Sequence, residues 1–388
     1  MNAKQELTDL TICRALFAAW VFIYHVDLYL NFSRFLGPAA DLVRHGYLGV
    51  DGFFILSGLI LARMHTEMKW DGVYYSIGLT RYPKFRLPSI AAVCRFWGKR
   101  LARIYPVHLA TILILAMLAA LGTLHGWIPR DPSRFDASSL LQNLLLVQGW
   151  GGSTQGAWDY PSWSVSTEWA GYLLFPILWY LMTYYSMIVS LQILITGFAA
   201  LGLVFVMHDH NLNLTFAEGL FRFFPEFLIG MATTRLVHVW ADYNGFRWAS
   251  LTAGCVIVVI AAILGVDLLA VPGIWLILFA FLMQADAGWP AILGQRPALC
   301  WLGRRSYAFY MTFAISELLM CQYFRHNGWV PARHGLVFAT GMLVITLALA
   351  TTLYATVETP CRRLADRWLE RPTSGANAKL SRPSPPKG

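Results

Sequence analysis

The chain has 388 residues, 57% of them hydrophobic and only 13% charged, against about 25% charged in an average soluble domain. That balance excludes a soluble globular enzyme and points to an all-α, polytopic integral membrane protein with about ten transmembrane helices. The formal net charge of +9 invites a nucleic-acid reading, which the distribution of basic residues removes.

The expected spans are 11–31, 47–65, 104–124, 169–185, 187–207, 219–237, 250–266, 268–284, 305–321 and 335–357. Two connections, 66–103 and 125–168, are longer than loops usually run without a purpose and are rich in Trp, Pro, Gly and charge, so function is sought there. With the N-terminus inside, 23 of the 30 Lys and Arg fall on the cytoplasmic side, six outside, and Arg222 within a span. Basic residues near helix ends are retained in the cytoplasm, so both termini are expected there and topology accounts for the charge. No nucleic-acid partner is needed.

The first span reads ICRALFAAWVFIYH over 12–25, with Arg14 at its inner end and His25 toward the outer face. Glu6 and Asp9 spoil the positive leader of a cleaved signal peptide, so the span is expected to be retained. Eleven helical residues set the two side chains about 16 Å apart along the axis and, being close to three turns, on nearly the same side. Two readings stand: a snorkelling arginine with a packed histidine, or a pair of functional groups facing the bundle interior, the default for ionisable residues in a span.

The second span opens GYLGVDGFFILSG, with Asp51 at about the depth of His25, where a carboxylate can orient an imidazole. Gly49, Gly52 and Gly58 suit close helix contact. Ahead of the third span, WGKRLARIYP places Arg100 and Arg103 three apart, on one face if helical. Positive-inside retention explains such a cluster, and so does a clamp for phosphate groups, whose geometry guanidinium forks match.

The segment PSWSVSTEW leads into the fourth span, where Glu168 is either a first-turn carboxylate favoured by the helix dipole or a second acid near His25. In FRFFPEFLIGM, Arg222 and Glu226 at i and i+4 form a candidate intramembrane ion pair. The six cysteines lack metal-ligand spacing, so neither a metal site nor a disulfide is expected. The end of the chain, RPTSGANAKLSRPSPPKG, is too poor in apolar residues to fold, which leaves 1–360 as a single membrane domain and 361–388 as a disordered basic cytoplasmic tail.

Four elements taken together carry a resemblance. They are the Arg, ten residues, His pattern of Arg14 and His25; GVDGFFILSG from Gly49 to Gly58; RLARIYP from Arg100 to Pro106; and W-S-x-S-x-E from Trp163 to Glu168. A fifth, GRRSYAFYM with a closing Glu358-Thr359-Pro360, agrees with them. In order and spacing the chain resembles the acyltransferase 3 family of membrane-bound acyltransferases over about 10–360.

The resemblance implies a bacterial inner-membrane enzyme, surrounded by membrane lipids, that moves an acyl group, most often acetyl from acetyl-CoA, to a hydroxyl of a cell-surface or exported glycan. It implies acyl-CoA contacts at Arg14, Arg100 and Arg103, with Arg304, Arg305 and Tyr105 beside them, and acceptor contacts at Trp163, Ser164, Arg222 and Glu226. His25 would be the general base, oriented by Asp51 or Glu168, and a covalent acyl-enzyme stays open. One position departs from the pattern: SYAFYMTF has Phe313 where relatives commonly carry a histidine.

The competing function is a proton-coupled transporter or flippase of a polar or glycan substrate, with His25, Asp51, Arg222 and Glu226 as its relay. The basic pair aligned with a single histidine favours the enzyme, and so does the lack of related halves. Oligomeric state is not written in the sequence.

Overall fold

The computed structural model describes residues 7–66, 74–77, 80–83, 89–126, 132–152, 156–184, 187–240, 242–288, 290–294 and 296–369. Thirteen helices follow one another: α1 Thr8–Leu30, α2 Ala40–Arg44, α3 Gly49–Thr66, α4 Ile90–Leu124, α5 Ala137–Leu144, α6 Trp163–Tyr184, α7 Met187–Met207, α8 Gly219–Trp240, α9 Asn244–Leu264, α10 Asp267–Ala287, α11 Pro297–His326, α12 Gly335–Leu353 and α13 Thr359–Leu369.

Each expected span falls on a long helix, and α7 coincides with its span to the residue. By length and apolarity, seven helices among the described residues qualify to cross a membrane, beginning with Thr8–Leu30 and ending with Gly335–Leu369. The expected number was ten. The three helices that fall short, α6, α8 and α11, bring Glu168, Arg222, Glu226, Arg305 and Glu317 into the bundle, so much of their polarity is directed inward.

Two further departures are local. Strands β1 Tyr74–Ile77 and β2 Thr80–Pro83 pair antiparallel with Tyr74 opposite Pro83, the two strands among the otherwise helical elements of the described residues. The domain boundary expected at 360 falls inside α13, which packs along α4 with Leu369 against Gly98 and Lys99 3.9 Å from Asp366. Residues 361–369 are therefore helix rather than tail, and 370–388 lie outside the described residues.

Local chemistry explains the elements that build the site. Helix α4 starts where Ser89 Oγ accepts the Ala92 N–H at 3.3 Å, satisfying a donor left free at the helix start. It runs through Pro106 for 35 residues, about 52 Å against a hydrocarbon core of about 30 Å, so it extends past the membrane and carries Arg100 and Arg103 on a continuous helix. Between α12 and α13 the backbone widens into a π turn, Tyr354–Glu358. Pro360 follows closely, and because proline has no N–H to give and its ring crowds the carbonyl four residues back, a widened turn suits its place in the helix.

Helix α1 stands at the centre, with Phe22 and Val26 in one apolar cluster and Leu10 and Phe17 in the other. It packs on α11 and on α3, and α3 packs in turn on α8. Small residues make these contacts possible, as the glycines of the second span suggested. A Cβ on Gly58 would collide with the Phe227 carbonyl and one on Gly230 with the Ile55 carbonyl, so α3 and α8 touch backbone to backbone.

Candidate active site

A cavity opens between α1, α3, α4, α6 and α11. Arg14, Arg100, Arg103, Ser57, Ser164, Glu168, Tyr172 and Ser306 supply its polar wall, and Val50, Phe53, Phe54, Leu56, Ile60 and Leu61 of α3 its apolar one. The three arginines thus converge from two helices, α1 and α4, as the sequence led one to expect. Arg14 Nε donates to Ser306 Oγ at 3.3 Å. Glu358, buried at the end of the π turn, faces Arg103, Arg14 and Arg305 and balances part of this charge.

Glu168 belongs to this cavity and not to His25. Its Oε1 accepts from Ser57 Oγ and from Tyr172 Oη, each at 2.6 Å, and its charged neighbours are the arginines. Depth along the chain placed Glu168 near the histidine, but the rotation of α6 turns it toward α3 and α4. Ser164 also lines the cavity, donating to Tyr310 Oη at 3.0 Å.

Asp51 is likewise engaged elsewhere. Arg222 grips it with two N–H groups, Nε to Oδ1 at 2.8 Å and Nη2 to Oδ2, while Nη2 also donates to the Tyr47 carbonyl at 3.2 Å. Both side chains are wholly buried. The expected Arg222–Glu226 pair does not form: Arg222 crosses to α3, and neither carboxylate oxygen of Glu226 finds a hydrogen-bond donor. Trp163 is buried edge-on to Phe54 at 5.9 Å and flanks Arg222 at 6.0 Å, so it packs this pair. None of these four side chains lines the cavity.

The remaining cofactor candidates also lie off the cavity wall. Tyr105 donates to the Leu144 carbonyl at 3.0 Å, tying α4 to the end of α5. Arg305 is held between the rings of Trp301 and Tyr354, 4.2 and 4.7 Å from their centroids. Arg304 is exposed.

His25 sits at the other end of α1 from Arg14. Phe313 lies over it with ring centroids 4.6 Å apart, and Tyr310 and Phe53 of the cavity wall continue the aromatic layer at 5.7 and 6.3 Å. The hydrogen bond His25 makes is to Tyr160, Nδ1 to Oη at 3.2 Å. Tyr160 Oη in turn donates to Glu317 Oε2 at 2.5 Å, and Tyr29 Oη donates to Glu317 Oε1 at 2.5 Å. Burial and the adjoining Glu317 carboxylate hold the Tyr160 phenol protonated, far above its ordinary range.

Sequence reasoning missed Tyr160 and Glu317. Glu317 was open to the rule that singled out Arg222, since it is a carboxylate inside an expected span. Tyr160 lies in the long connection 125–168, where function was sought, but nothing in the loop marks it. The loop is stapled around it: Arg134 covers its ring at 5.2 Å and donates to the Trp158 carbonyl at 3.1 Å, Trp158 N–H donates to the Arg134 carbonyl at 2.7 Å, and Gln148 Nε2 donates to Ser162 Oγ at 2.8 Å.

A cationic cavity and a histidine thus occupy the two ends of one helix, with an aromatic layer between them. The family profile described as "Acyltransferase domain" matches residues 7–355. Acyltransferase MdmB of Streptomyces mycarofaciens is 28% identical over 401 aligned residues, which take in 96% of this chain and 95% of that protein. No solved structure matches. With the profile spanning nearly the whole chain and the motif residues assembled around α1, the protein belongs to the acyltransferase 3 family and is a membrane-bound acyltransferase.

Proposed function

We propose that the enzyme takes an acyl group, acetyl in the simplest case, from acyl-CoA held on the cytoplasmic side and delivers it to a hydroxyl of a cell-surface or exported glycan. The membrane is then a bacterial inner membrane with both chain termini inside. The observation that carries this reading is the placement of Arg14 and His25: one arginine of the cationic cavity and the one candidate base ride on the same helix.

Arg14, Arg100 and Arg103 bind the phosphates of the donor, for which planar guanidinium forks are suited. The pantetheine arm runs along the apolar wall of α3 toward Phe53 and Tyr310, and the thioester reaches the aromatic layer beneath His25. His25 Nε2 takes the proton of the acceptor hydroxyl as its oxygen attacks the thioester carbonyl. The C–O bond forms, the C–S bond breaks, and the CoA thiolate recovers a proton from the imidazolium. The rings of Phe313 and Tyr160 packed on His25 cover part of the imidazole, and the less water reaches it during the step the stronger its charge interactions are.

The test is release of free CoA from acetyl-CoA by purified protein, with and without an envelope-glycan extract. His25→Ala is expected to abolish glycan-dependent release. Arg103→Gln is expected to raise KM for acetyl-CoA by about 10- to 100-fold, the loss of one charge-assisted contact of about 1.5–3 kcal/mol. Absence of turnover with any acyl-CoA, together with absence of CoA binding, overturns the reading in favour of transport.

A further inference from the structure

His25 has a ring nitrogen on each side, and only one can be the base. Its Nδ1 faces Tyr160 Oη at 3.2 Å. A phenol has one proton to donate, and Tyr160 gives it to Glu317 Oε2 at 2.5 Å. The second carboxylate oxygen of Glu317 is occupied by the Tyr29 proton at 2.5 Å. Tyr160 Oη is left with lone pairs alone to offer the imidazole. Nδ1 must therefore carry the ring proton, and Nε2 keeps the free lone pair.

We propose that Glu317, acting through Tyr160, is the positioning residue of this enzyme: it fixes His25 in the Nδ1–H tautomer and stabilises the imidazolium formed when Nε2 takes the acceptor proton. The inference rests on His25 being the base. It assigns the orienting carboxylate to α11 in place of Asp51, which Arg222 occupies, and Glu168, which the donor cavity occupies.

The substitution at 313 fits this arrangement. Phe313 contacts both His25 and Tyr160, at 4.6 and 6.0 Å between centroids, and offers neither a hydrogen bond. With an apolar ring there, the hydrogen bond to the imidazole among the described residues is that of Tyr160, itself held by Glu317 one turn beyond Phe313 on α11. Tyr29 closes the arrangement from α1 itself, four residues beyond His25, so both the histidine and the carboxylate that orients it are fixed to the same helix.

The experiment compares kcat and KM for acetyl-CoA in wild type, Glu317→Gln, Glu317→Asp, Tyr160→Phe and the Glu317→Gln/Tyr160→Phe double variant, with His25→Ala as reference. Glu317→Gln and Tyr160→Phe are each expected to lower kcat by about 10²- to 10⁴-fold, the range seen when a base loses its tautomer or orientation. KM for acetyl-CoA stays within about twofold, because the donor cavity is built from other residues. The double variant is no slower than the slower single, since both break one chain of hydrogen bonds, and Glu317→Asp, which keeps the carboxylate, recovers part of kcat.

Full kcat in Glu317→Gln alongside an inactive His25→Ala overturns the relay while leaving the base in place. Activity retained in His25→Ala overturns the underlying reading instead. Should Glu317→Gln fail to fold, Tyr160→Phe, which leaves the Tyr29–Glu317 bond intact, decides alone: unchanged kcat there sinks the proposal.

Discussion

Replacing Asp51 with Asn tests whether that carboxylate belongs to the chemistry or to the scaffold. The structure gives it to the scaffold, where it takes two N–H bonds from Arg222 in a site with no exposed surface. Removing one partner of a buried ion pair typically costs about 3–5 kcal/mol, because the other charge is left uncompensated. Here the cost is softened: Glu226 lies one turn from Arg222 on α8 with neither oxygen hydrogen-bonded, so it can take up the guanidinium.

Asp51→Asn is thus expected at the lower end of that range and Asp51→Asn/Glu226→Gln at the upper end. Asp51→Leu/Arg222→Met, which removes both charges, should come back to within about 1 kcal/mol of wild type or better. Thermal unfolding of the purified protein in detergent, followed by tryptophan fluorescence, ranks the four proteins, and acetyl-CoA turnover is measured on the folded fraction. An Asp51→Asn protein as stable as wild type but without turnover refutes the reasoning and returns Asp51 to the active site.

Burial holds the Asp159 carboxyl up to about 7, from an ordinary 3.8, with Thr111 and Arg134 opposing the shift. An unfolded Asp159 loses its proton near pH 3.8 while the folded one keeps it to about 7; its contribution to stability is full below the lower value, is lost as pH rises to the upper, and is flat beyond. Asp159→Asn removes that loss, so its stability relative to wild type should climb between pH 4 and 7 by up to ~4 kcal/mol; parallel melting curves across this range would count against a buried neutral acid. At the α3–α8 contact, Gly230→Ala should destabilise by about 1–3 kcal/mol through overpacking, whereas Gly202→Ala on α7, where a Cβ meets only Leu268 at 4.0 Å, should stabilise by up to about 1 kcal/mol through helix propensity. Equal shifts at the two glycines would mean that the backbone contact is not tight.

Much of the architecture is legible because its cause is one-dimensional. Apolar length marks the helices, and Arg14, Arg100 and Arg103 share a cavity because the spacings that put them on inward faces are local properties of α1 and α4. The partners of Asp51 and Glu168 are not legible for the complementary reason. The sequence gives an approximate depth for each, but the azimuth of a helix depends on packing against others, and a glycine contact such as Gly58 with Phe227 decides it. The partner of Arg222 shows the same limit: the i and i+4 rule favours Glu226, yet the guanidinium reaches across to Asp51 where the two helices touch. Glu317 lies one turn past Phe313, and its partners Tyr160 and Tyr29 come from a loop and from α1, which spacing along α11 does not reveal.

The shared mounting of Arg14 and His25 makes α1 a ruler. A helix fixes both the interval and the phase between its side chains, about 1.5 Å and 100° for each residue, and close packing against α3 and α11 leaves α1 no room to stretch or unwind. Nothing at one end can be retuned without carrying the other along. Lengthening the stretch between them by a single residue keeps every functional group in the chain and still turns the histidine a quarter of the way round, away from Tyr160. What is inherited along this stretch is therefore a distance as much as a set of residues, and under the proposed function a donor must match the protein's own measure.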